Sequence, residues 1–489
     1  MKRLLVIAYY WPPSGGSGVQ RWVKFSKYLP AEGWQPVVYT PSNPSAPATD
    51  ASLEADIPSC VEVVRRPIRE IGSLFRGSSS SREVNPINAQ KKSLRQRLMM
   101  WIRGNCFIPD PRRSWVGPSV RFLSRYLREH PVDAIVTTGP PHSMHLIGLK
   151  LSRKTGLPWV ADFRDPWTKI FYFKHLHLSP WAARRHQALE QAVLDGATRI
   201  VAVSPPVADD FRSMTRTPVV LITNGFDPAD YPAMGGANAQ AAGAVVPVDA
   251  PVASPLTPGD ATVASPLSPV AAPVAAPLTP ADAPVGGALM ADCGAGLCQG
   301  APGTFSLVHT GLFAADGNPL VLWKVLAAKY FADEAFRKAL RIVLIGKTDA
   351  QVIAAIREAG LGDALQDLGY RDHSETVVRQ QSASVLLLPL RQEPEYRNVL
   401  PGKLFEYLGA RRPVLGIGQS DGAMATILSD VDAGQTFDWT DESGLSAWLD
   451  DAWTRFGNGR LDIANADIDR FSRRSTARQM ASLLDSITG

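Results

Sequence analysis

The stretch RNVLPGKLFEYLGARRPVLGIG, residues 397–418, has residue types and spacing suited to binding a nucleoside diphosphate. Its Pro-Gly pair suits a helix start, and Lys403 and Glu406 fall on one side of that helix, opposite its apolar side. Free amides at the helix start, those of Gly402 and Leu404 included, can hold a diphosphate together with Lys403. The Glu406 carboxylate can accept both hydroxyl protons of a ribose. The other interpretation is a solvated Lys–Glu pair on an exposed face.

A second candidate is the loop within YYWPPSGGSGVQRWVKF, residues 9–25, which follows a short apolar run. Gly15 and Gly16 permit backbone geometries and close approaches that other residues forbid. The start of the helix behind them is a ready anion site. This stretch therefore predicts that a phosphorylated ligand docks at this end of the chain. The alternative is a purely structural turn between strand and helix.

Two further stretches, GPPHSMH and ADFRDPW, end predicted strands, where α/β folds bind their ligands. Arg164 can stabilise negative charge on a bound ligand, and His142 can hydrogen-bond a hydroxyl group. Asp162 and Asp165 are further candidates at the same strand ends. The other interpretation is that the two aspartates orient the loop and pair with Arg164. His145 is expected to be a helix residue against the sheet.

Short apolar runs rich in strand-forming residues recur along the chain, with helical segments between them. They are continuous rather than alternating, which is typical of strands covered on both faces and therefore of parallel sheet. The first set is RLLVIAYY, QPVVYTP, DAIVTTG, PWVADFRD, RIVAVS and PVVLITNG, and the second is FSLVHTG, RIVLIG, SVLLLPL and RPVLGIG. We predict an α/β fold with two doubly wound, Rossmann-like domains, residues 1–230 and 304–489, whose last helix returns to the first domain.

Residues 234–303, between these two arrays, contain no Lys, no Arg and no aromatic residue. An eleven-residue repeat is visible in VASPLTP, VASPLSP and VAAPLTP, which begin at residues 252, 263 and 274. Such Pro- and Ala-rich composition cannot bury enough apolar surface to offset the entropy of ordering the chain. We predict a disordered linker or tolerated insertion, with a partner-binding segment as the alternative.

The bulk composition narrows the function classes. The 489-residue chain carries a net charge of +5, too diffuse to indicate nucleic acid, and this charge suits anionic small molecules or a membrane surface. Its four cysteines have no spacing typical of zinc or disulfide frameworks, which favours a reducing compartment. The N-terminal apolar run is short for a signal peptide, and no run approaches the ~20 apolar residues that span a bilayer. We therefore predict a cytoplasmic protein.

A basic amphipathic helix is predicted over residues 90–105, QKKSLRQRLMMWIRGN. Its five basic residues alternate with apolar ones that leave one apolar side, namely Leu94, Leu98, Met99, Trp101 and Ile102. Such a helix can lie on an anionic membrane, which predicts a peripheral contact with the inner face of the membrane. The other interpretation is an ordinary surface helix whose apolar stripe faces the core.

Five stretches, taken together in this order, carry a family resemblance: YYWPPSGGSGVQRWVKFSKYLPAEGWQPVVYTP, FIPDPRRSWVGP, ADFRDPW, ITNGFD and PGKLFEYLGARRPVL. With them the chain resembles the GT-B glycosyltransferases of the family-4 type, over all of its length except residues 234–303. The resemblance implies two Rossmann-like domains facing a cleft, the first for the acceptor and the second for a nucleotide-sugar donor. It also implies transfer with retention at the anomeric carbon, without metal or cofactor, in polysaccharide or cell-envelope assembly.

In this family Gly15 and Gly16 would approach the donor diphosphate, and the acceptor would be a glycan or a lipid-linked sugar. The resemblance then implies that Arg164 neutralises the departing diphosphate as the sugar–phosphate bond breaks and that His142 hydrogen-bonds a sugar hydroxyl. Asp165 joins these catalytic candidates, and Asp162 is the candidate on the acceptor side.

The chain departs from the family in its two-glutamate motif. Glu406 looks like the second glutamate, the ribose binder, whereas the first falls at Asn398. An asparagine still donates and accepts hydrogen bonds to sugar hydroxyls but brings no charge. Glu393 and Glu395 offer carboxylates in a different register, and the sequence leaves that choice open.

A second departure lies in HTGLFAADGNPL, residues 309–320. Many family members place an Arg directly after this glycine and a Lys a few residues on, where the chain has Leu312 and Asn318. Lys347, after the strand RIVLIG, or Lys403 can supply the missing positive charge. The Asp-x-Asp spacing in SDVD, residues 429–432, lies in a polar turn expected to end a helix, so no metal site is predicted.

Three rival functions remain open. A nucleotide-sugar epimerase shares the two-domain architecture and acts on a donor without an acceptor. The departures at Leu312, Asn318 and Asn398 favour a non-catalytic binding scaffold. A nicotinamide oxidoreductase is the generic alternative for a Rossmann-like chain, but the glycine fingerprint of that class is lacking here.

Overall fold

The computed structural model shows two parallel sheets, each packed between helices. It describes residues 1–45, 49–69, 94–170, 173–231, 303–459, 461, 463 and 466–489. The predicted disordered segment lies outside the described residues apart from Gly303, and so do residues 90–93 of the predicted basic helix.

The strands of the N-terminal sheet run parallel in the order β3-β2-β1-β4-β5-β6-β7. These strands are β1 (Lys2–Ile7), β2 (Trp34–Pro41), β3 (Glu62–Arg66), β4 (Ala134–Gly139), β5 (Trp159–Phe163), β6 (Arg199–Ala202) and β7 (Val219–Leu221). The helices that accompany them are α1 (Ser17–Tyr28), α2 (Leu94–Cys106), α3 (Val116–Glu129), α4 (Ser143–Thr155), α5 (Pro180–Gly196) and α6 (Pro205–Met214).

The two faces of this sheet are both buried. Leu5 and Ile7 of β1 pack into a core cluster with α3 and α4, whereas Leu4 and Val6 pack into a second cluster with α1. Successive strand residues point to opposite faces, so a strand covered on both sides is apolar at most positions, and a buried polar residue such as Asp162 needs partners within the fold. The continuous apolar runs of the sequence have this cause, and the predicted α/β fold is confirmed.

The strands of the C-terminal sheet run parallel in the order β10-β9-β8-β11-β12-β13. These strands are β8 (Phe305–Thr310), β9 (Leu340–Ile345), β10 (Leu365–Gly369), β11 (Val385–Pro389), β12 (Val414–Ile417) and β13 (Gly434–Phe437). The helices in this half are α7 (Leu320–Ala332), α8 (Glu334–Ala339), α9 (Ala350–Glu358), α10 (His373–Gln381), α11 (Gly402–Ala410), α12 (Ala423–Asp430), α13 (Glu442–Gly457) and α14 (Arg473–Thr488).

Each sheet reverses its strand order once, between β1 and β4 and between β8 and β11. A doubly wound sheet binds ligands at the carboxyl ends of its strands beside such a reversal. The loops after β1, β4 and β5 therefore form one candidate ligand edge, and the loop after β8 with the start of α11 forms the other.

The last helix, α14, packs on the N-terminal half of the chain. Met480 and Leu484 share a core cluster with Val23 of α1. The segment leading into α14 lies beside the segment that leaves the first sheet, because the Phe226 amide donates to the Phe471 carbonyl over 3.1 Å. The two crossing segments thus run side by side between the two halves.

Candidate active site

Asp162 is a structural residue inside the N-terminal sheet. Its fully buried carboxylate accepts hydrogen bonds from Arg21 (Nη2, 2.9 Å), Trp22 (Nε1, 2.8 Å) and Thr138 (Oγ1, 3.1 Å). Burial alone raises the pKa of Asp162, but the Arg21 charge and these hydrogen bonds bring it below its ordinary value. The prediction that Asp162 meets an acceptor is therefore corrected, because its oxygens are occupied within the fold.

Arg164 lies in the loop after β5 and approaches the loop after β1. Its Nη2 donates to the Pro140 carbonyl, and its Nη1 lies 2.5 Å from where a Cβ on Gly18 would stand. Its buried Nε has no hydrogen-bond partner among the described residues. Burial lowers the pKa of Arg164, and Asp165 opposes that shift most. This half-buried cation therefore retains one unused donor, Nε, beside the ligand edge of the sheet.

Asp165 follows directly and is half-buried. Burial raises the pKa of its carboxyl, and the neighbouring Arg164 opposes the rise. Its charge also helps to raise the pKa of Tyr396 in the C-terminal half. A hydrogen bond joins the two halves nearby, because Ser204 Oγ donates to the Asn398 carbonyl over 3.3 Å.

His142 precedes the first residue of α4 and stacks on Trp167, with ring centroids 4.7 Å apart and planes 5° from parallel. Neither ring nitrogen has a hydrogen-bond partner among the described residues. Burial lowers its pKa well below the ordinary value, and the charges of His145 and Arg164 add to this. A neutral imidazole beside Arg164 can exchange hydrogen bonds with a sugar hydroxyl.

His145 lies one turn further along α4 and is fully buried. Its Nδ1 pairs with Thr137 Oγ1 at 2.8 Å, and burial lowers its pKa to about 3. The prediction that it is a helix residue against the sheet is confirmed.

The glycine loop after β1 has the geometry that glycine permits. Gly16 has φ of +99°, and a Cβ there would meet open space, whereas a Cβ on Gly15 would stand 3.0 Å from Asp50 Cβ. Gly18 was not predicted, although it is the glycine that leaves room for the Arg164 guanidinium. Its signal in the sequence is its place at the start of α1 in the same glycine-rich loop.

Lys403 forms the centre of the C-terminal site. Its Nζ donates to the Leu312 carbonyl over 3.0 Å and lies 3.2 Å from His309 Nε2. Since His309 Nδ1 must donate to the Leu387 carbonyl, 3.0 Å away, its Nε2 is the acceptor for the ammonium. Burial lowers the pKa of Lys403 to about 8, opposed by Glu406.

Gly311 lets Lys403 reach this position and was missed by the sequence prediction. It has φ of +87°, and a Cβ on it would lie 2.6 Å from Lys403 Cε. The loop after β8 is thus wrapped over the lysine side chain. The available signal was a glycine directly after a buried strand, at a switch point of the sheet.

Of the two residues predicted to bind the donor through the first turn of α11, Gly402 is exposed and Leu404 is buried. A Cβ on Gly402 would touch nothing within 4 Å. Leu404 is fully buried in a core cluster, and its amide donates to the Pro401 carbonyl over 3.1 Å. Leu404 is therefore corrected from a donor-binding residue to a core residue.

Glu406 is half-buried on the same face as Lys403, as predicted from the spacing. The carbonyl of Glu406 accepts a hydrogen bond from Tyr231 at 2.8 Å, which fixes this turn of α11 to the crossing segment. Its carboxylate charge acts on Lys403, His373 and Arg473. Among the described residues it forms no ion pair, so its two oxygens remain available as acceptors.

The two departures from the family have different structural consequences. Asn398 is exposed, and among the described residues its carbonyl alone is bonded, to Ser204. Asn318 serves the fold, because its Oδ1 accepts from Trp323 Nε1 at 2.7 Å. Leu312 is 58% exposed, and Lys347 is exposed in the loop after β9.

Glu393 is one of the carboxylates that the sequence offers in a different register from Asn398. Glu393 is half-buried, and its Oε2 has no hydrogen-bond partner among the described residues. The loop that carries it is fixed by an ion pair of 2.9 Å between Arg391 and Asp316.

No metal-binding group of three or more His, Cys, Asp or Glu residues occurs among the residues that the structure describes. The Asp-x-Asp pair lies where α12 ends, at Asp430, as predicted. Across the described part of the chain, no helix combines the length and apolar character needed to cross a membrane.

Comparisons with known proteins agree with this architecture. Residues 16–230 match the family model described as Glycosyltransferase Family 4. A sucrose-phosphate synthase from Thermosynechococcus elongatus is a structural neighbour, with a TM-score of 0.56 and 14% identity over 99% of both chains. The N-terminal domain of a trehalose-6-phosphate phosphatase from Candida albicans gives 0.57 at 11% identity, over 99% of this chain and 97% of that one.

A third neighbour is an alpha,alpha-trehalose-phosphate synthase (UDP-forming) from Burkholderia vietnamiensis, with a TM-score of 0.52 and 11% identity over all of both chains. These likenesses establish a shared fold. No curated protein matches the chain in a sequence search. The resemblance drawn from the sequence motifs is confirmed.

Proposed function

We propose that this chain, which shares the GT-B fold and matches the Glycosyltransferase Family 4 model over residues 16–230, is a glycosyltransferase that moves a sugar from a nucleoside diphosphate sugar to a glycan or lipid-linked acceptor. The proposal includes retention of configuration at the anomeric carbon, without metal or cofactor, in polysaccharide or cell-envelope assembly. A donor that releases UDP is favoured by the name of one structural neighbour, the UDP-forming synthase.

The observation that carries the proposal is the charge at the start of α11. Lys403 is held by a neutral histidine and a backbone carbonyl, so its positive charge is not neutralised by an ion pair among the described residues. The exposed Gly402 amide stands beside it at the positive end of the helix. One turn on, Glu406 offers two acceptor oxygens. Diphosphate and ribose are the two parts of a donor that match this pair.

The opposite edge supplies the groups for the chemical step. As the bond between the anomeric carbon and the diphosphate oxygen breaks, negative charge grows on that oxygen, and Arg164 can stabilise it. The acceptor hydroxyl attacks from the face that the diphosphate leaves and gives its proton to a diphosphate oxygen. No protein base is then required, and His142 acts by hydrogen-bonding a sugar hydroxyl.

A peripheral membrane contact through residues 90–105 is part of the proposal. In α2, Leu98 is 58% exposed and Trp101 is 43% exposed. Trp181, at the start of the neighbouring α5, is 63% exposed. Aromatic side chains beside basic ones suit the headgroup region of an anionic cytoplasmic leaflet. The alternative of a buried stripe holds for part of the helix, since Met100 is 4% exposed.

The test is a thermal-shift titration with UDP, GDP and NAD on the wild type and on Glu406→Ala. A ligand at 100 times its dissociation constant stabilises the fold by about 2.7 kcal/mol. Stabilisation by UDP or GDP that Glu406→Ala weakens supports the donor site, and product analysis then separates a transferase from an epimerase. No shift with any nucleotide favours the non-catalytic scaffold, and an inverted product anomer rejects retention.

A further inference from the structure

We propose that His186 of α5 is a positioning residue that fixes the ring of His142 through Trp167. This inference rests on the proposed role of His142 at the transferred sugar. His186 is buried and lies outside the ligand edge of the sheet. None of the sequence motifs described above includes it.

The His186 ring is held in one tautomer. Trp167 Nε1 lies 3.2 Å from His186 Nδ1, and an indole N–H can only donate, so Nδ1 is the acceptor. The proton of the neutral ring is therefore on Nε2, which donates to the Gly104 carbonyl over 3.3 Å. His186 is 2% exposed. Both nitrogens are thus committed, one to the loop after β5 and one to α2.

Trp167 transmits that constraint to His142. The indole stacks on the imidazole with centroids 4.7 Å apart and planes 5° from parallel. Because the nitrogens of His142 have no hydrogen-bond partner among the described residues, no polar contact sets the rotation of its ring. The stacked indole therefore sets the plane in which those nitrogens lie, and the rings of His145 (5.9 Å) and Phe163 (6.1 Å) lie further away.

The backbone of the same loop is held separately, one turn further along α5. Glu190 is 1% exposed and accepts from the Trp167 and Thr168 amides at 3.3 Å. Main chain and indole therefore depend on two different residues of α5. A substitution at His186 can release the indole while Glu190 keeps the loop folded.

The far side of His186 is anchored at the end of α2. A Cβ on Gly104 would stand 2.6 Å from Leu178 Cδ2, so the glycine lets α2 approach the segment before α5 closely. Asn105 Oδ1 accepts from the Ser179 amide at 2.7 Å and fixes the same junction. The position of the Gly104 carbonyl is thus fixed, and its hydrogen bond holds the His186 ring in place.

Two substitutions separate the two bonds of His186. His186→Asn keeps an acceptor near the position of Nδ1 and loses the donor, whereas His186→Gln keeps a donor near the position of Nε2 and loses the acceptor for Trp167. We expect kcat to fall about tenfold in His186→Gln, with the donor KM unchanged within about twofold, and about threefold in His186→Asn. Trp167→Phe, which keeps a stacked ring without the N–H, should add no further loss in the His186→Gln background.

The outcomes distinguish this inference from the proposed function. If His142→Ala leaves kcat unaltered, the role of His142 in the proposed function fails. If His142→Ala lowers kcat but His186→Gln does not, the positioning role of His186 is rejected. Equal losses in both His186 variants, in step with a lowered Tm, would also overturn it, because they indicate packing alone.

Discussion

Two buried charges, one in each half of the chain, are held in opposite ways. In the N-terminal half, the Asp162 carboxylate is matched by Arg21, with 2.9 Å between Nη2 and Oδ1, and both side chains are buried. In the C-terminal half, Lys403 has neutral partners, and its pKa is lowered to about 8 by burial. A matched pair stabilises structure, whereas a charge held without a counter-ion is ready for an anionic ligand.

The difference explains why one predicted site residue proved structural. Asp162 and Lys403 both lie at the ligand edge of a parallel sheet, and sequence position alone ranks them equally. Arg21, the partner of Asp162, is 141 residues away on α1, so no local sequence pattern predicts the pair. The partners of Lys403 are an imidazole and a carbonyl near β8, which leave its charge unpaired.

The largest effect is expected from breaking the matched pair. Asp162→Ala leaves the Arg21 guanidinium buried and unpaired, and this should lower the free energy of unfolding by about 3–5 kcal/mol. Urea unfolding of the variant measures it. The exposed pair of Arg212 and Asp209, 2.7 Å apart, is the matched control, since Asp209→Ala should cost under about 1 kcal/mol. Equal costs at the two sites would contradict the comparison.

The sequence specified the fold more completely than the site. Continuous apolar runs predicted the inner strands of both sheets, because burial on two faces favours apolar residues. The edge strands β3, β10 and β13 were missed, because they are partly exposed and carry polar residues. The face shared by Lys403 and Glu406 followed from helical periodicity within nine residues. Leu404 was misassigned because its amide bonds back to Pro401, and Gly311 was missed because its contact with Lys403 joins distant segments. Local periodicity is visible in one segment, and tertiary proximity is not.

Next in size is the effect of removing the unmatched charge. Lys403→Met should weaken binding of the nucleoside diphosphate about 30-fold, because a charge-assisted hydrogen bond to phosphate contributes about 2 kcal/mol. Calorimetric titration with UDP or GDP measures this. The Tm without ligand should not fall, since the variant removes a desolvated cation that forms no ion pair with any described residue. Lys347→Met, at an exposed lysine of the neighbouring loop, is the control and should change affinity less.

The unmatched charge also predicts a pH dependence with opposite signs for binding and stability. Because the pKa of Lys403 is about 8, nucleotide affinity should fall by up to about tenfold per pH unit above pH 8, as the amine becomes neutral. Between pH 8 and 10.5 the unfolded chain binds more protons at this group, so its contribution to stability rises with pH. Affinity measured from pH 7 to 10 in the wild type and in Lys403→Arg separates this lysine from other groups, since arginine stays charged. A parallel fall in both proteins would exclude Lys403 as the source.

The smallest effect tests whether Arg164 acts on the departing diphosphate in the N-terminal half, where Asp162 is already paired with Arg21. A Cβ in Gly18→Ala would stand 2.5 Å from Arg164 Nη1, the far end of a flexible side chain that can move aside. Stability should change by under about 0.5 kcal/mol, while kcat falls several-fold because the guanidinium no longer meets the departing diphosphate. Gly117→Ala on α3, where a Cβ meets nothing within 4 Å, controls for the loss of a helical glycine. If Gly18→Ala retained full kcat, the charge on the departing diphosphate would have to be stabilised from the C-terminal half alone, by Lys403 and the start of α11. The contrast between the two halves would then extend from charge pairing to catalysis.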